Sequence, residues 1–143
     1  MIKPASLRAA IVAAVPDLAA NPDKLQVFVD AGNLMATNTK TLSFEYRYTI
    51  NLILLDFAGD EDTIMMALLI WVRRHQSDLL DNPDKRSTAI TFEVDQLNNS
   101  TCDLSITLPL TESVKVQLDA DNNPVATHLP EPVPEWVMPG LAG

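Results

Sequence analysis

The chain is poor in cysteine, glycine and histidine, residues on which many catalytic and cofactor-binding sites depend. Cys102 is the single cysteine, so no intrachain disulfide can form, and an inward-facing small apolar side chain is expected there. Four glycines leave no glycine-rich phosphate-binding loop. His75 and His128 have no recognisable catalytic partner in the sequence, and we expect both at the surface. The sequence therefore predicts no active site, no cofactor and no resident metal.

Basic residues are also scarce: 10 Lys and Arg stand against 19 Asp and Glu, giving a net charge of −9 and a sequence pI near 4.4. An acidic surface repels phosphate backbones, which argues against wrapping of nucleic acid. The same repulsion would allow DNA to pass along a surface formed by this protein without binding to it. The apolar run 64–72 is too short to span a bilayer, so no membrane partner is expected.

Helical and alternating patterns succeed one another along the rest of the 143 residues. Leu7, Ile11, Val15 and Leu18 recur at helical spacing, and a strand follows from Leu25 to Gly32. A long strand, a second helix over about 62–76 and three or four further strands complete the order, with residues 33–41 irregular. Of the further strands, those over about 90–95 and 102–108 are predicted to form an antiparallel hairpin, and residues 114–118 a separate strand. This order predicts an α+β single domain: a mostly antiparallel mixed sheet with two helices packed on one face.

The stretch "SFEYRYTINLILLDF" alternates more strictly than any other. The apolar row from Phe44 to Leu54 would face the helices, including Trp71 in the second helix. The opposite side is polar and would be free to meet another protein; it consists of Glu45, Arg47, Thr49 and Asn51. From residue 53 to 57 both sides are apolar, which predicts cover on both faces of the strand. Glu93, Asp95 and Asp103 add acidic groups to the polar face.

Acidic residues follow this strand around Gly59. Asp56, Asp60 and Asp62 could form a metal or ligand site, as in a small enzyme domain. Acids before a helix also stabilise its positive N-terminal end, and Arg73 and Arg74 in the last turn complete that pattern. We favour the capping interpretation. A bound metal or a deep pocket at these acids would favour the alternative interpretation, a small enzyme domain.

The segment "LPEPVPEWVMPGLAG" differs in composition from everything before it. Four prolines favour an extended, solvated backbone, and regular folding offers little scope to bury Trp136 and Met138. The sequence thus predicts a domain over residues 1–128 and a C-terminal arm over 129–143. The arm is either a disordered tail or a segment that docks into a neighbouring subunit.

Several segments, in order, resemble one protein family. "MIKPASLRAAI", "NPDKLQVFVDAG", "LSFEYRYTINLILLDFAGDED", "WVRRHQSDLL" and "TFEVDQLNNSTCDLSITLPLTESV" are similar to the tail-completion protein R (GpR) family of peduovirus-type contractile-tailed phages. The resemblance covers residues 1 to about 118, and the arm departs from it in detail. It implies a structural virion protein with a tail-terminator-like fold, not a catalyst.

The resemblance also implies a homo-oligomeric ring, a hexamer, on the end of the tail tube and sheath. Implied partners are the tube and sheath proteins, the head–tail connector or neck proteins, and genomic DNA passing through the lumen without specific binding. The implied locations are the virion tail and, during assembly, the host cytoplasm. Another neck or baseplate component remains open as an alternative, because fold alone does not separate these roles.

Overall fold

A computed structural model describes residues 1–36, 40 and 42–130 of the chain. Two helices begin the fold, α1 (Lys3–Ala14) and α2 (Pro16–Ala20), followed by a 3-10 turn (Pro22–Lys24). The strands β1 (Leu25–Ala36) and β2 (Phe44–Phe57) lead into the long helix α3 (Glu61–His75). The remaining elements are α4 (Asp78–Asp81), α5 (Arg86–Ala89), β3 (Thr91–Gln96), β4 (Cys102–Leu118) and β5 (Pro124–His128).

The five strands form one sheet in the order β1-β2-β4-β3, and β5 pairs with the far end of β4. Every strand pairing is antiparallel. Val114 of β4 is paired with Phe44 of β2 and with His128 of β5, so β5 lies on the side of β4 away from β2. The predicted α+β fold with helices on an antiparallel sheet is therefore confirmed.

The core lies between the sheet and the two long helices. Alternate residues of β2 and β4 are buried against α1 and α3, as the two-residue period of a strand requires. Trp71 is 0% exposed, and its indole N–H donates to the Ser6 hydroxyl oxygen at 3.0 Å, which joins α3 to α1. The prediction that Trp71 is buried is confirmed. The buried set comprises Leu7, Ile11, Leu18, Leu25, Tyr48, Ile50, Leu52, Leu54, Phe57, Ile64, Leu68, Trp71, Val72, Cys102, Leu104, Ile106, Leu108 and Leu110.

The expectation that β1 ends at Gly32 is wrong, because the strand continues to Ala36. Pairing with β2 supplies the reason: residues 31–36 stay in register with residues 44–49 although their own pattern is irregular. The register shifts between Val29 and Ala31, so one residue bulges out and the alternation in the sequence is interrupted there. A side chain at Gly32 would place its Cβ 2.8 Å from the Arg47 carbonyl oxygen, so this close approach requires glycine.

β4 runs unbroken for 17 residues, whereas the sequence predicted one strand over residues 102–108 and a further strand over 114–118. The backbone of Thr111 points away from β2, because its N–H donates to the Gln76 side chain and its carbonyl accepts from Lys3 Nζ. Pro109 lies two residues before Thr111 in β4, so its backbone nitrogen points to the same side of the strand. No described strand pairs with β4 on that side at Pro109. A proline without an N–H is tolerated at such a position.

The expectation of cover on both faces over residues 53–57 is also wrong. Ile53 and Leu55 are only half-buried, and Asp56 is exposed. Among the described residues, helices cover one face of the sheet, and the second face of β2 remains partly exposed.

Candidate functional site

The polar face of the sheet carries the predicted interface residues of β2. Glu45, Arg47, Thr49 and Asn51 occupy alternate positions, pointing away from the buried row. Arg47 Nη2 lies 3.4 Å from Glu45 Oε2, with the two side chains 48% and 26% exposed, so this ion pair contributes little to stability. The Asn51 amide oxygen accepts hydrogen bonds from Ser105 at 3.2 Å and Thr107 at 3.4 Å.

A groove of about 490 Å³ crosses this face where β1 approaches β2 and β4. Asn33, Arg47 and Thr49 line it together with Pro109 and Thr111. Two of the predicted interface residues, Arg47 and Thr49, thus belong to one concave surface. Arg47 is its charged group, exposed enough to bind a carboxylate of another protein.

The predicted acidic residues lie together at the other end of the polar face. Asp95 of β3 is directly paired with Asp103 of β4, and Glu93 is paired with Ser105 two positions away. Glu93 and Asp95 are exposed. Like charges directly opposite each other are unfavourable, so these carboxylates make a local negative surface.

The three acids of the alternative metal site all take part in hydrogen bonds of the fold. Asp60 caps α3, since its Oδ1 accepts the backbone N–H of Asp62 at 2.9 Å. Asp56 has a left-handed φ of 50°, and its N–H donates to Asp103 Oδ1 at 2.9 Å. Across the described part of the chain, no three His, Cys, Asp or Glu side chains are grouped to hold a metal ion. The capping interpretation is confirmed for Asp60.

Cys102 is 2% exposed, which confirms the inward-facing prediction. Burial raises the pKa of its thiol, and the neighbouring carboxylates of Glu61 and Asp103 add to this effect. A thiol with a raised pKa carries little thiolate at neutral pH and is a poor nucleophile.

A buried polar network, which sequence reasoning missed, fastens the N-terminus to the sheet. Glu112 is 2% exposed and accepts hydrogen bonds from the N–H of Ile2 at 2.7 Å, from the N–H of Lys3 at 3.4 Å and from the Tyr48 hydroxyl. Burial alone would raise the pKa of Glu112. The hydrogen bonds and the positive N-terminus outweigh it and hold that pKa below its usual range.

His128, the last residue of β5, lies beside this network. Its Nδ1 lies 3.3 Å from Glu112 Oε1, so the end of β5 approaches the same carboxylate as the start of α1. His75 stacks on Trp71 with ring centroids 4.9 Å apart. Both histidines were expected at the surface, and the structure places both in half-buried positions. One feature of the sequence indicates the buried network: Glu112 places a carboxylate in the inward row of β4, between Leu110 and Val114.

The remaining predicted contacts, Trp136 and Met138, lie outside the described residues. None of the helices in the described part of the chain is long and apolar enough to cross a membrane.

Comparison with known proteins identifies the relatives of the chain. The family model of the P2 phage tail completion protein R (GpR) matches residues 1–132. The tail completion protein R of Escherichia phage P2 is 41% identical over 134 residues, which cover 94% of this chain and 86% of that protein. No solved structure matches the chain. The match extends over nearly the whole chain, and the chain belongs to the P2 phage tail completion protein R (GpR) family.

Proposed function

We propose that this chain completes a phage tail by forming a closed ring on the end of the tail tube and sheath and preparing that end to join the head. The observation that carries the proposal is the family match over residues 1–132. Family membership makes the chain a structural protein of the phage tail, and such a protein contacts other tail components. The ring, its six-fold symmetry and its position are our inference.

The two unlike edges of the sheet support a ring. A closed ring with more than two subunits needs heterologous contacts, in which two different patches of each copy meet. β1 ends the sheet on one side, while β3 and β5 end it on the other. These edges differ in length and in charge, so a contact between one edge and the other edge of the next copy would join two different patches.

The acidic end of the polar face suits a ring lumen. Glu93, Asp95 and Asp103 lie close together on one face of the sheet, in a chain whose net charge is −9. A negative wall repels DNA phosphates, so a genome could pass without being held. We therefore assign these three residues to the channel, and Glu45, Arg47, Thr49 and Asn51 to a contact between subunits.

The partners follow from this position. The ring would contact the tube and sheath proteins below it and the head–tail connector or neck proteins above it. It would assemble in the host cytoplasm and remain in the virion tail. No catalytic step is required of it: Cys102 is buried with a raised pKa, and Asp60 is used as a helix cap.

A stop codon placed early in the gene of the parent phage tests the proposal. We expect lysates with filled heads and separate tails but few joined particles, and restoration of infectious particles by the wild-type protein supplied in trans. Electron microscopy of the same lysate counts heads, tails and joined particles. Normal particle yield without the protein, or tails that lack only their baseplate, would contradict the proposal.

A further inference from the structure

β1 is long, and within the described part of the chain no strand pairs with its outer edge. Every residue from position 28 to 36 is exposed, so this part of the strand buries neither of its faces. Large apolar side chains lie on both faces: Phe28 is 41% exposed, Leu34 60% and Met35 41%. β1 contains no proline and no basic residue, and its one charged residue, Asp30, lies at the bulge. Exposed apolar edges of this kind are ready to pair with another strand.

The opposite edge of the sheet is protected by several independent features. β3 has exposed apolar side chains too, Phe92 at 61% and Val94 at 45%, but it is only six residues long and carries Glu93 and Asp95. Beyond β3, Pro109 removes a backbone donor from the edge of β4. At Thr111, Gln76 accepts the backbone N–H at 3.0 Å and the Lys3 ammonium donates to the carbonyl. Short strands, charges and prolines are common protections against unwanted strand pairing. The contrast marks β1 as the edge intended for a partner.

The chain itself contains a segment suited to such pairing. Beyond β5, prolines stand at positions 130, 132 and 134, and every residue between them has an N–H. Alternate residues of an extended strand direct their backbone groups to the same side. The backbone nitrogens of all three prolines would then point to solvent, while the backbone N–H groups of Glu131 and Val133 point to the partner strand. A strand that pairs on one side only can hold proline in this pattern.

We propose that residues 130–135 of one copy add as an edge strand to β1 of the neighbouring copy. This inference rests on the proposed assembly of copies into a ring and names the surface that receives the arm. Strand addition gives affinity through main-chain hydrogen bonds and specificity through alternate side chains.

The position where the described chain ends favours a neighbouring copy over the chain's own β1. The Leu129 N–H donates to the Ser113 carbonyl at 3.0 Å, so the arm starts at the β4–β5 side of the sheet. β1 is separated from that side by β2 and β4. The arm origin and the β1 edge are therefore the two different patches that a heterologous ring must bring together.

Charge and side-chain pattern agree with the same placement. Glu131 and Glu135 would share one face of the added strand, and the prolines would share the other with Trp136 and Met138. The two glutamates suit the polar face beside Arg47, which is 48% exposed and lies in β2 opposite Asn33 of β1. The prolines, Trp136 and Met138 suit the other face, where Leu34 is exposed. At the β3 edge the same glutamates would meet Glu93 and Asp95.

Disulfide trapping with two full-length variants tests the proposal. One variant carries Asn33→Cys on β1, and the other carries Glu131→Cys, Val133→Cys or Glu135→Cys in the arm. Tails assembled in cells that produce both variants are purified and then oxidised. We expect a disulfide-linked heterodimer for at least one arm position, because only contact between copies can join cysteines on separate chains. Cys102 stays in every variant, since it is buried.

The matched control replaces Asn33→Cys with Glu93→Cys, on the same face of the sheet but at the protected edge. Heterodimer from the β1 pair is expected to exceed that from the control pair several-fold. Equal trapping at both edges, or no trapping at β1 in tails that contain both variants, would overturn the proposal. Absence of the protein from tails would instead count against the proposed function, so the two failures are distinguishable.

A second comparison tests the role of the arm's backbone. Val133→Pro removes an N–H on the pairing side, whereas Val133→Ala trims the side chain and keeps the N–H. We expect Val133→Pro to lose most head-joined tails and Val133→Ala to retain them. Equal yields from the two variants would overturn the proposed strand addition.

Discussion

At the scale of single residues, Glu112 has the most consequential position. One carboxylate accepts hydrogen bonds from the first residues of α1 and from Tyr48 of β2, and it lies 3.3 Å from His128 of β5. Two parts of the chain that are distant in sequence, the start of α1 and the middle of β2, are therefore held by a single charge. The same carboxylate lies close to the end of β5, after which the proposed arm begins.

Glu112→Gln should lower the free energy of unfolding by about 2–3 kcal/mol at neutral pH, since hydrogen bonds to a charged acceptor are lost. The folded-state pKa lies below the unfolded value of about 4.3, so the stabilisation is complete above that pH. It is lost as the pH falls through the folded-state pKa. Urea titrations from pH 7 down to acid should show the difference between wild type and variant shrinking below about pH 4.

The exposed carboxylate of Glu93 provides the control. Glu93→Gln should leave the free energy of unfolding within about 0.5 kcal/mol of wild type. A Glu112→Gln difference that stays constant down to acid pH would contradict the assigned role of the charge.

Trp71→Ala should cost about 3–5 kcal/mol, because the side chain is fully buried and its removal leaves a cavity between α3 and α1. Chemical denaturation measures this loss. Met66→Ala, on the exposed side of the same helix, is the control and should change stability little. A loss near zero for Trp71→Ala would mean that the helices do not pack on the sheet as described.

At the scale of elements, the sequence predicted those strands and helices whose apolar side chains recur every two or every 3.6 residues. The inward row of β2, the helix over 61–75, the β3–β4 hairpin and the buried Trp71 all follow from local pattern. The end of β1 and the continuity of β4 through Pro109 do not. Both depend on a partner strand or side chain far away in sequence, such as β2 for Gly32 and Gln76 for Thr111.

The same distinction applies to the candidate site. Alternation placed Glu45, Arg47, Thr49 and Asn51 on one face correctly. It could not show that Asp95 is paired directly with Asp103, because that depends on the register of the hairpin. The network around Glu112 joins residues up to 110 positions apart, which no local pattern reveals.

Gly32→Ala is a direct test of how β1 lies on β2. The added Cβ would meet the Arg47 carbonyl oxygen and Tyr48 Cβ at 2.8 Å, both in the backbone region of β2, so the strands must separate. We expect a loss of about 1–3 kcal/mol in urea unfolding. Asn33→Ala, at the next position, should stay within about 0.5 kcal/mol of wild type. Equal stability of the two variants would show that β1 does not approach β2 so closely.

At the scale of the whole molecule, one face of the sheet builds the core and the rest remains available for assembly. β1, β3 and the polar face are exposed to an extent that folding of one chain alone does not require. Contact with other tail components would account for such surfaces. In the proposed ring, the β1 edge and residues 130–135 would form a contact between copies, and the acidic end of the polar face would line the channel.

Truncation after Leu129 should separate folding from assembly. The core lies within residues 7–110, so the thermal unfolding midpoint should stay close to that of the full chain. Completed, head-joined tails should fall sharply, since buried tryptophans at interfaces often contribute at least about 2 kcal/mol and Trp136 is removed. Full-length protein carrying Trp136→Ala and Met138→Ala is the companion variant and should show the same defect. Normal infectious yield from the truncated protein would refute the assembly role of the arm.

Cryo-electron microscopy of tails purified with this protein bound would show where and how it assembles. We expect a closed ring of six copies on the tube and sheath at the end of the tail that joins the head. Glu93, Asp95 and Asp103 should line its channel. A location at the baseplate end, or an arrangement that does not close around the tube, would contradict it.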